Sequence, residues 1–237
     1  MQPGVDPAEG AVSAGRTLWN NDQISQLVMT VKSTARDQVR DSLLDAMDRL
    51  LARYGYQKTT VDDLAAEAGI GKGTVYLYFS SKEQVALSCI DRFHDRLVDE
   101  LQAISGSQAS SYDKVVAVMK ERVRCRFEYC RNTSSFSEML SALQGELLSR
   151  KARYHQEEAS VLESILKQGA KAREWPACDF KAAADAIVHA TNGFLPYSLK
   201  VSQLGSWEEI EGQIECLAQL LVYGVGGLPP RPNPIGS

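Results

Sequence analysis

The stretch Thr60–Lys82, T-V-D-D-L-A-A-E-A-G-I-G-K-G-T-V-Y-L-Y-F-S-S-K, constrains this chain more than any other. Thr60 stands where an N-cap hydroxyl meets the unpaired donors of a first helical turn, and Asp63 occupies the reciprocal capping-box position. Val61, Leu64, Ala65 and Ala68 then recur with helical spacing and give one apolar face. Gly69 follows the last periodic residue, the place of a left-handed C-cap, and Ile70 is placed to plug the corner between two helices. Gly71 and Lys72 open a second helix whose inner face is Val75 and Phe79, one turn apart. The spacing predicts helix, tight turn, helix, and a third helix beginning near Lys82.

Lys72, Thr74, Tyr76, Leu77 and Tyr78 are left to point away from that inner face. Two phenols, a hydroxyl and an ammonium on one short helix suit phosphate oxygens and base edges. Gly73 removes a side chain and lets the helix backbone come near a duplex. Lys82 adds a second cation, and no acid occurs from Ala68 to Lys82. The plainer reading is a helical hairpin whose aromatics form its core. It fails on geometry, because Tyr76, Leu77, Tyr78 and Phe79 cannot all face one core at ~3.6 residues per turn.

The string G-Y-Q-K-T-T-V-D-D-L-A-A-E-A-G-I-G-K-G-T-V-Y-L-Y-F-S-S-K-E resembles the DNA-binding domain of the tetracycline-repressor (TetR/AcrR) family, over roughly residues 36–85. The remainder is similar only in length and all-helical character. One departure is Gly71, where the family often has Ser or Thr as the N-cap of the recognition helix; glycine there costs a few tenths of a kcal/mol. The resemblance implies an all-α fold: a three-helix, helix-turn-helix DNA-binding domain, then a larger helical domain for ligand binding and dimerisation. It further implies a homodimeric repressor released from a palindromic operator by a small-molecule effector. Some members activate, or act without a ligand, and a helical interaction module is the remaining alternative. On this reading Lys72, Gly73, Thr74 and Leu77 approach base edges, while Tyr76, Tyr78, Lys82 and Thr60 fix the backbone register.

The expected organisation is a disordered extension over residues 1–33, the DNA-binding domain over 34–82, the ligand and dimerisation domain over 83–227, and a flexible tail over 228–237. The extension is rich in Pro, Gly and Ala, although Ile24, Leu27, Val28 and Val31 carry helical spacing. Arg36–Tyr54 is expected as a helix with a stripe of Val39, Leu43, Ala46, Met47, Leu50 and Tyr54. Glu83–Ile104 is expected as the next, a lever between the two domains. Further on, Val115, Val116, Met119, Val123 and Phe127 mark one helix; Phe136, Met139, Leu140, Leu143, Leu147 and Leu148 mark another. Tyr154, Val161, Leu162, Ile165 and Leu166 mark a long one, and Trp175-Pro176 a corner. A helix over Phe180–Leu199 is expected to kink at Pro196, and Trp207–Tyr223 is expected as the last.

A net charge of −4 argues against a chain that coats nucleic acid without selectivity, but a local basic reader is compatible with it. Five cysteines at wide spacing, with no zinc-type pairing, read as reduced and mostly buried thiols in a cytoplasmic protein, with no metal and no cofactor. No apolar run approaches the ~20 residues that cross a bilayer. Three histidines and no nucleophile elbow or ordered triad argue against an enzyme.

The family resemblance implies that the last two helices pair with their copies in a second subunit. Ala182, Ala183, Ala184, Ala186 and Ala190 allow close approach, and Ile210, Ile214, Leu217 and Leu221 form a stripe. It also implies an effector cavity among the middle and late helices. Candidates for its lining are Phe127, Phe136, Met139, Tyr154, His155, Trp175, His189, Asn192, Phe194 and Tyr197. His94 is expected at the surface or between domains.

Overall fold

Between Asn21 and Tyr54 the sequence holds neither Pro nor Gly, so nothing in it interrupts a helix, and α1 runs the whole of Asn21–Tyr54. It therefore starts well before the expected Arg36. A computed structural model of the chain describes residues 21–132, 136–195 and 205–224, with side chains from residue 35 and excluding 131–137. Residues 1–20, Pro196, Tyr197, the tail over 228–237 and the side chain of Phe136 lie outside the described residues.

The remaining helices are α2 (Val61–Ala68), α3 (Lys72–Tyr78), α4 (Lys82–Ser105), α5 (Ser111–Asn132), α6 (Phe136–Ala142), α7 (Gln144–Lys171), α8 (Phe180–Thr191) and α9 (Trp207–Tyr223), with a short 3-10 turn at Asn192–Phe194. No strand occurs among the described residues. By internal contact the chain divides into residues 1–41 and 42–237. The described part of the first unit is helix. The second holds everything from the end of α1 onward.

α1 ends where Gly55 takes a left-handed φ of 76° and donates its N–H to Leu51. Its inner face carries Leu43, Ala46, Met47 and Leu50 as expected, together with Leu44 and Leu51; Tyr54 is exposed and leaves the stripe. α2 has the expected capping box: the Asp63 N–H donates to Thr60 Oγ1 at 3.1 Å, and the Thr60 N–H donates to Asp63 Oδ2 at 2.9 Å. Gly69 closes the helix with φ 69°, where a Cβ-bearing residue is strained, and Ile70 donates back to Ala65 at 3.0 Å. Leu64, Ala65, Val75, Phe79, Val85 and Cys89 are buried, and the Cys89 thiol donates to the Leu44 carbonyl of α1 at 3.5 Å.

A hydrophobic core joins α4, α5, α7, α8 and α9 through Leu97, Leu101, Met119, Leu162, Val188 and Ile214, among others. The expected helix over Phe136–Leu148 does not exist as one piece. It breaks at Leu143, which leaves helical geometry at φ −106° and ψ 10°, and residues 144–148 join the long α7. α8 likewise stops at Thr191, short of Pro196, because the chain tightens into the 3-10 turn. Trp175 lies flat on Gly169, where a Cβ would overlap its ring, and its Nε1–H donates to Leu166 at 2.9 Å. The five thiols are free, but only Cys89 is buried; Cys178 and Cys216 are exposed, against the expectation of a mostly buried set. No helix among the described residues is long and apolar enough to cross a membrane.

Candidate nucleic-acid interface and inner cavity

The turn at Gly69 sets α3 against α2 so that Val75 and Phe79 are 1% and 3% exposed. Residues between them in sequence must then face outward, and Tyr76 and Leu77 are 50% and 75% exposed. Gly73 is exposed, and an added Cβ there would meet no atom within 4 Å. Thr74 and Tyr78 are half-buried. Lys72 reaches back to Asp62, Nζ to Oδ2 2.9 Å, in an exposed pair that contributes little and exchanges readily for another anion. Thr60 spends its hydroxyl within the capping box, donating to Asp63 Oδ2 at 2.7 Å, so its first role is structural. Lys82 is the most tightly placed of the predicted contacts. Its Nζ donates to the Tyr56 carbonyl at 3.0 Å and sits 4.3 Å from the Tyr56 ring centre. Tyr56 is itself buried and donates its hydroxyl to Glu83 at 3.2 Å.

A family model described as "Bacterial regulatory proteins, tetR family" matches residues 43–89, the segment from the end of α1 to the first turns of α4. Over residues 43–89 the chain is TetR-like. Among curated relatives, the "Uncharacterized HTH-type transcriptional regulator YerO" of Bacillus subtilis is 29% identical over 104 residues, 44% of this chain. That match spans 35% of the relative's length, so the likeness in sequence is to about a third of it. Solved structures extend the likeness in fold. A regulator of the TetR/AcrR family from Thermobifida fusca is 20% identical with a TM-score of 0.56, covering 78% of this chain and 97% of that one. The regulator FadR from Bacillus subtilis, in complex with stearoyl-CoA, is 19% identical with a TM-score of 0.54, covering 78% and 98%.

The second half holds a cavity of about 410 Å³ between α4, α5, α6, α7 and α8. Its walls are mainly apolar, with Ile90, Phe93, Leu140, Leu147, Leu148 and Val188. Of the predicted lining, Tyr154, His155 and Asn192 are on the wall. Phe127 and Met139 are buried in the core, Trp175 packs on Gly169 and Phe194 packs against the core. His189 is exposed on α8, its ring 4.5 Å from that of His155.

The polar end of the cavity was not anticipated. Arg122 and Glu158 are 1% and 2% exposed and pair at 2.5 Å. Arg122 also donates to Thr191 Oγ1, to the Val188 carbonyl at 3.5 Å and to Asn192 Oδ1 at 3.3 Å. Arg126 pairs with the other Glu158 oxygen and donates to the Arg122 carbonyl at 2.9 Å. Burial alone would raise the Glu158 carboxyl, but Arg126 and Arg122 outweigh it and hold the group below its ordinary 4.5. The signal was present in the spacing: Arg122 falls on the stripe with Val115 and Met119, and Glu158 on the stripe with Leu162 and Ile165. A charge on an apolar stripe is buried with a partner or not at all.

His94 of α4 completes this end and is buried against α7, not at the surface or between domains as expected. Its ring stacks on Tyr154 at 4.1 Å between centres. Nε2 lies 2.8 Å from Glu157 Oε2 and carries the hydrogen that this carboxylate accepts; Nδ1 lies 3.5 Å from Glu158 Oε1. Burial lowers the imidazole below its ordinary 6.5, against the pull of Glu158 and Glu157 and with the help of Arg126. The sign for stability follows. Below 6.5 the unfolded His94 binds a proton that the folded one resists, so stability falls as pH drops through that value. Glu158, depressed in the folded state, adds a further loss below 4.5. The urea midpoint of the full chain is expected to decline between pH 7 and 5.5; a flat or rising midpoint would contradict a neutral buried His94.

α4 joins the cavity to α1 through adjacent residues. Asp91 accepts from Tyr154 at 2.6 Å, Arg153 at 2.5 Å and Arg150 at 3.2 Å, all on α7. Arg92 pairs with Asp45 at 2.8 Å and Asp48 at 2.7 Å, both on α1.

Proposed function

We propose that this chain is a homodimeric, cytoplasmic repressor that reads a palindromic DNA operator and is released from it by a small molecule held in the inner cavity. The observation that carries the reading is the exposed face of α3, where Tyr76 and Leu77 stand out beside the buried Val75 and Phe79. Large apolar and aromatic side chains on so short a helix need a partner surface, and the absence of acid from Ala68 to Lys82 makes an anionic duplex the fitting one. Lys72, Gly73, Thr74 and Leu77 approach base edges. Tyr76, Tyr78 and Lys82 hold phosphates, with Thr60 keeping the motif in register.

Dimerisation through α8 and α9 is supported by side chains left outside the protomer's core. Ala182 and Ala186 point outward, and Leu220, Leu221 and Tyr223 are exposed. Ile210 and Ile214, expected on that face, are buried in the protomer's own core, so the interface rests on the outward residues. Two recognition helices about one DNA turn apart, ~34–36 Å, read a palindrome, and a ligand that favours another spacing releases it. α4 transmits the change, because Tyr154 on the cavity wall grips Asp91 while the adjacent Arg92 grips α1. A structural relative described with stearoyl-CoA makes acyl-CoA thioesters and their free acids the first effectors to screen.

Selection of duplexes from a random pool at near-physiological salt tests the reading. Enrichment of a palindrome with half-sites one turn apart is expected. No enrichment from folded dimer, before and after refolding to strip ligand, would overturn it. With the operator in hand, Lys82→Ala is expected to weaken binding to all sequences and to reduce the salt slope by about one unit. An unchanged slope would remove Lys82 from the phosphate contacts.

A further inference from the structure

We infer that the cavity takes an apolar carboxylic acid of about a dozen heavy atoms, seated with its carboxylate at the partly exposed Arg126, beside the buried Arg122–Glu158 pair, and its tail toward Leu148. The inference rests on reading this cavity as the effector site, and it adds the chemical class and the orientation of the ligand. Charge is the first reason. The wall carries Arg122, Arg126 and Lys151 but a single carboxylate, Glu158. An excess of cation in a largely apolar enclosure favours an anionic occupant, and guanidinium groups bind carboxylates through paired hydrogen bonds.

Depth is the second reason. Arg122 and Glu158 are almost wholly buried, whereas Leu148 is 61% exposed, so the cationic end lies inside and the apolar end outside. An acid entering with its head first meets Arg126, and its tail then lies along Phe93, Leu140 and Leu147. Size is the third. At roughly the 30 Å³ that one water occupies in the liquid, 410 Å³ holds on the order of fourteen heavy atoms. A coenzyme A ester is several times larger. Its charged part would stay outside, leaving only an uncharged chain to reach Arg126.

Calorimetric titration of the full chain separates these possibilities. The probes are dodecanoate against dodecanol, naphthylacetate against naphthylethanol, and dodecanoyl-CoA. At least one acid is expected to saturate the chain and to bind about tenfold or more tightly than its alcohol, with dodecanoyl-CoA weaker than dodecanoate. Arg126→Gln is expected to bring acid and alcohol within about threefold of one another, and the comparison on the unaltered chain stands whether or not that variant folds. Equal binding of acid and alcohol, tighter binding of the CoA ester, or no binding of any probe would each overturn the inference. Adding the same probes to the operator complex tells the two readings apart. An acid that binds without releasing DNA sinks the effector reading and leaves the ligand class standing. An alcohol that binds as well as the acid and releases DNA does the reverse.

Discussion

Gly73→Asp is expected to abolish operator binding while leaving the fold intact. Gly73 is exposed on α3, and an added Cβ there meets no atom within 4 Å, so the protein itself has room for the side chain. An aspartate near the start of a helix also complements the helix dipole, and it replaces glycine, a poor helix former. Against DNA the same change is costly. On the proposed reading it fills the gap through which the α3 backbone approaches the duplex and sets a carboxylate against phosphates, a like-charge contact costing about 3 kcal/mol or more, a hundredfold or more in affinity. Thermal unfolding and operator titration on one preparation check both halves. Near-normal operator affinity in a folded Gly73→Asp protein would mean that α3 does not lie against DNA at this residue.

The second large effect concerns stability. Arg122→Leu is expected to cost about 3–5 kcal/mol, a large share of the 5–15 kcal/mol that typically holds a domain folded. The reason is the state left behind. Glu158, 2% exposed, would lose one of its two guanidinium partners, and the Val188 carbonyl and Asn192 Oδ1 would lose the Arg122 donor. Replacing Glu158 and Arg126 as well, in Arg122→Leu with Arg126→Leu and Glu158→Met, is expected to recover most of the loss, since buried ionic groups exchanged whole for apolar ones are often neutral. Urea denaturation of the two variants measures the difference. A single variant within about 1 kcal/mol of the parent would show that the pair acts no more strongly than one at the surface.

The helix-turn-helix was legible because its determinants are local. Thr60, Asp63 and Gly69 act through hydrogen bonds and backbone angles within a few residues, and Val75 and Phe79 declare an inner face by spacing alone. α9 was legible to the residue for the same reason, with Ser206 and Glu209 capping its start. The break at Leu143 was not, because apolar residues on both sides continue a helical period and only packing bends the chain there. Likewise Ile210 and Ile214 bear the pattern of an interface and of a core equally, and tertiary packing assigned them to the core.

The cavity marks the boundary between the two kinds of information. From its sequence this chain determined that α3 presents Tyr76 and Leu77 outward, since short-range geometry leaves them nowhere else to go. Tertiary structure alone decided that Arg122 of α5, Glu158 of α7, His94 of α4 and Asn192 after α8 meet at one buried point. Those residues lie far apart in the chain, and burial makes their charges count: within the core each must find its partner across helices, and no spacing along one helix states which helix that is.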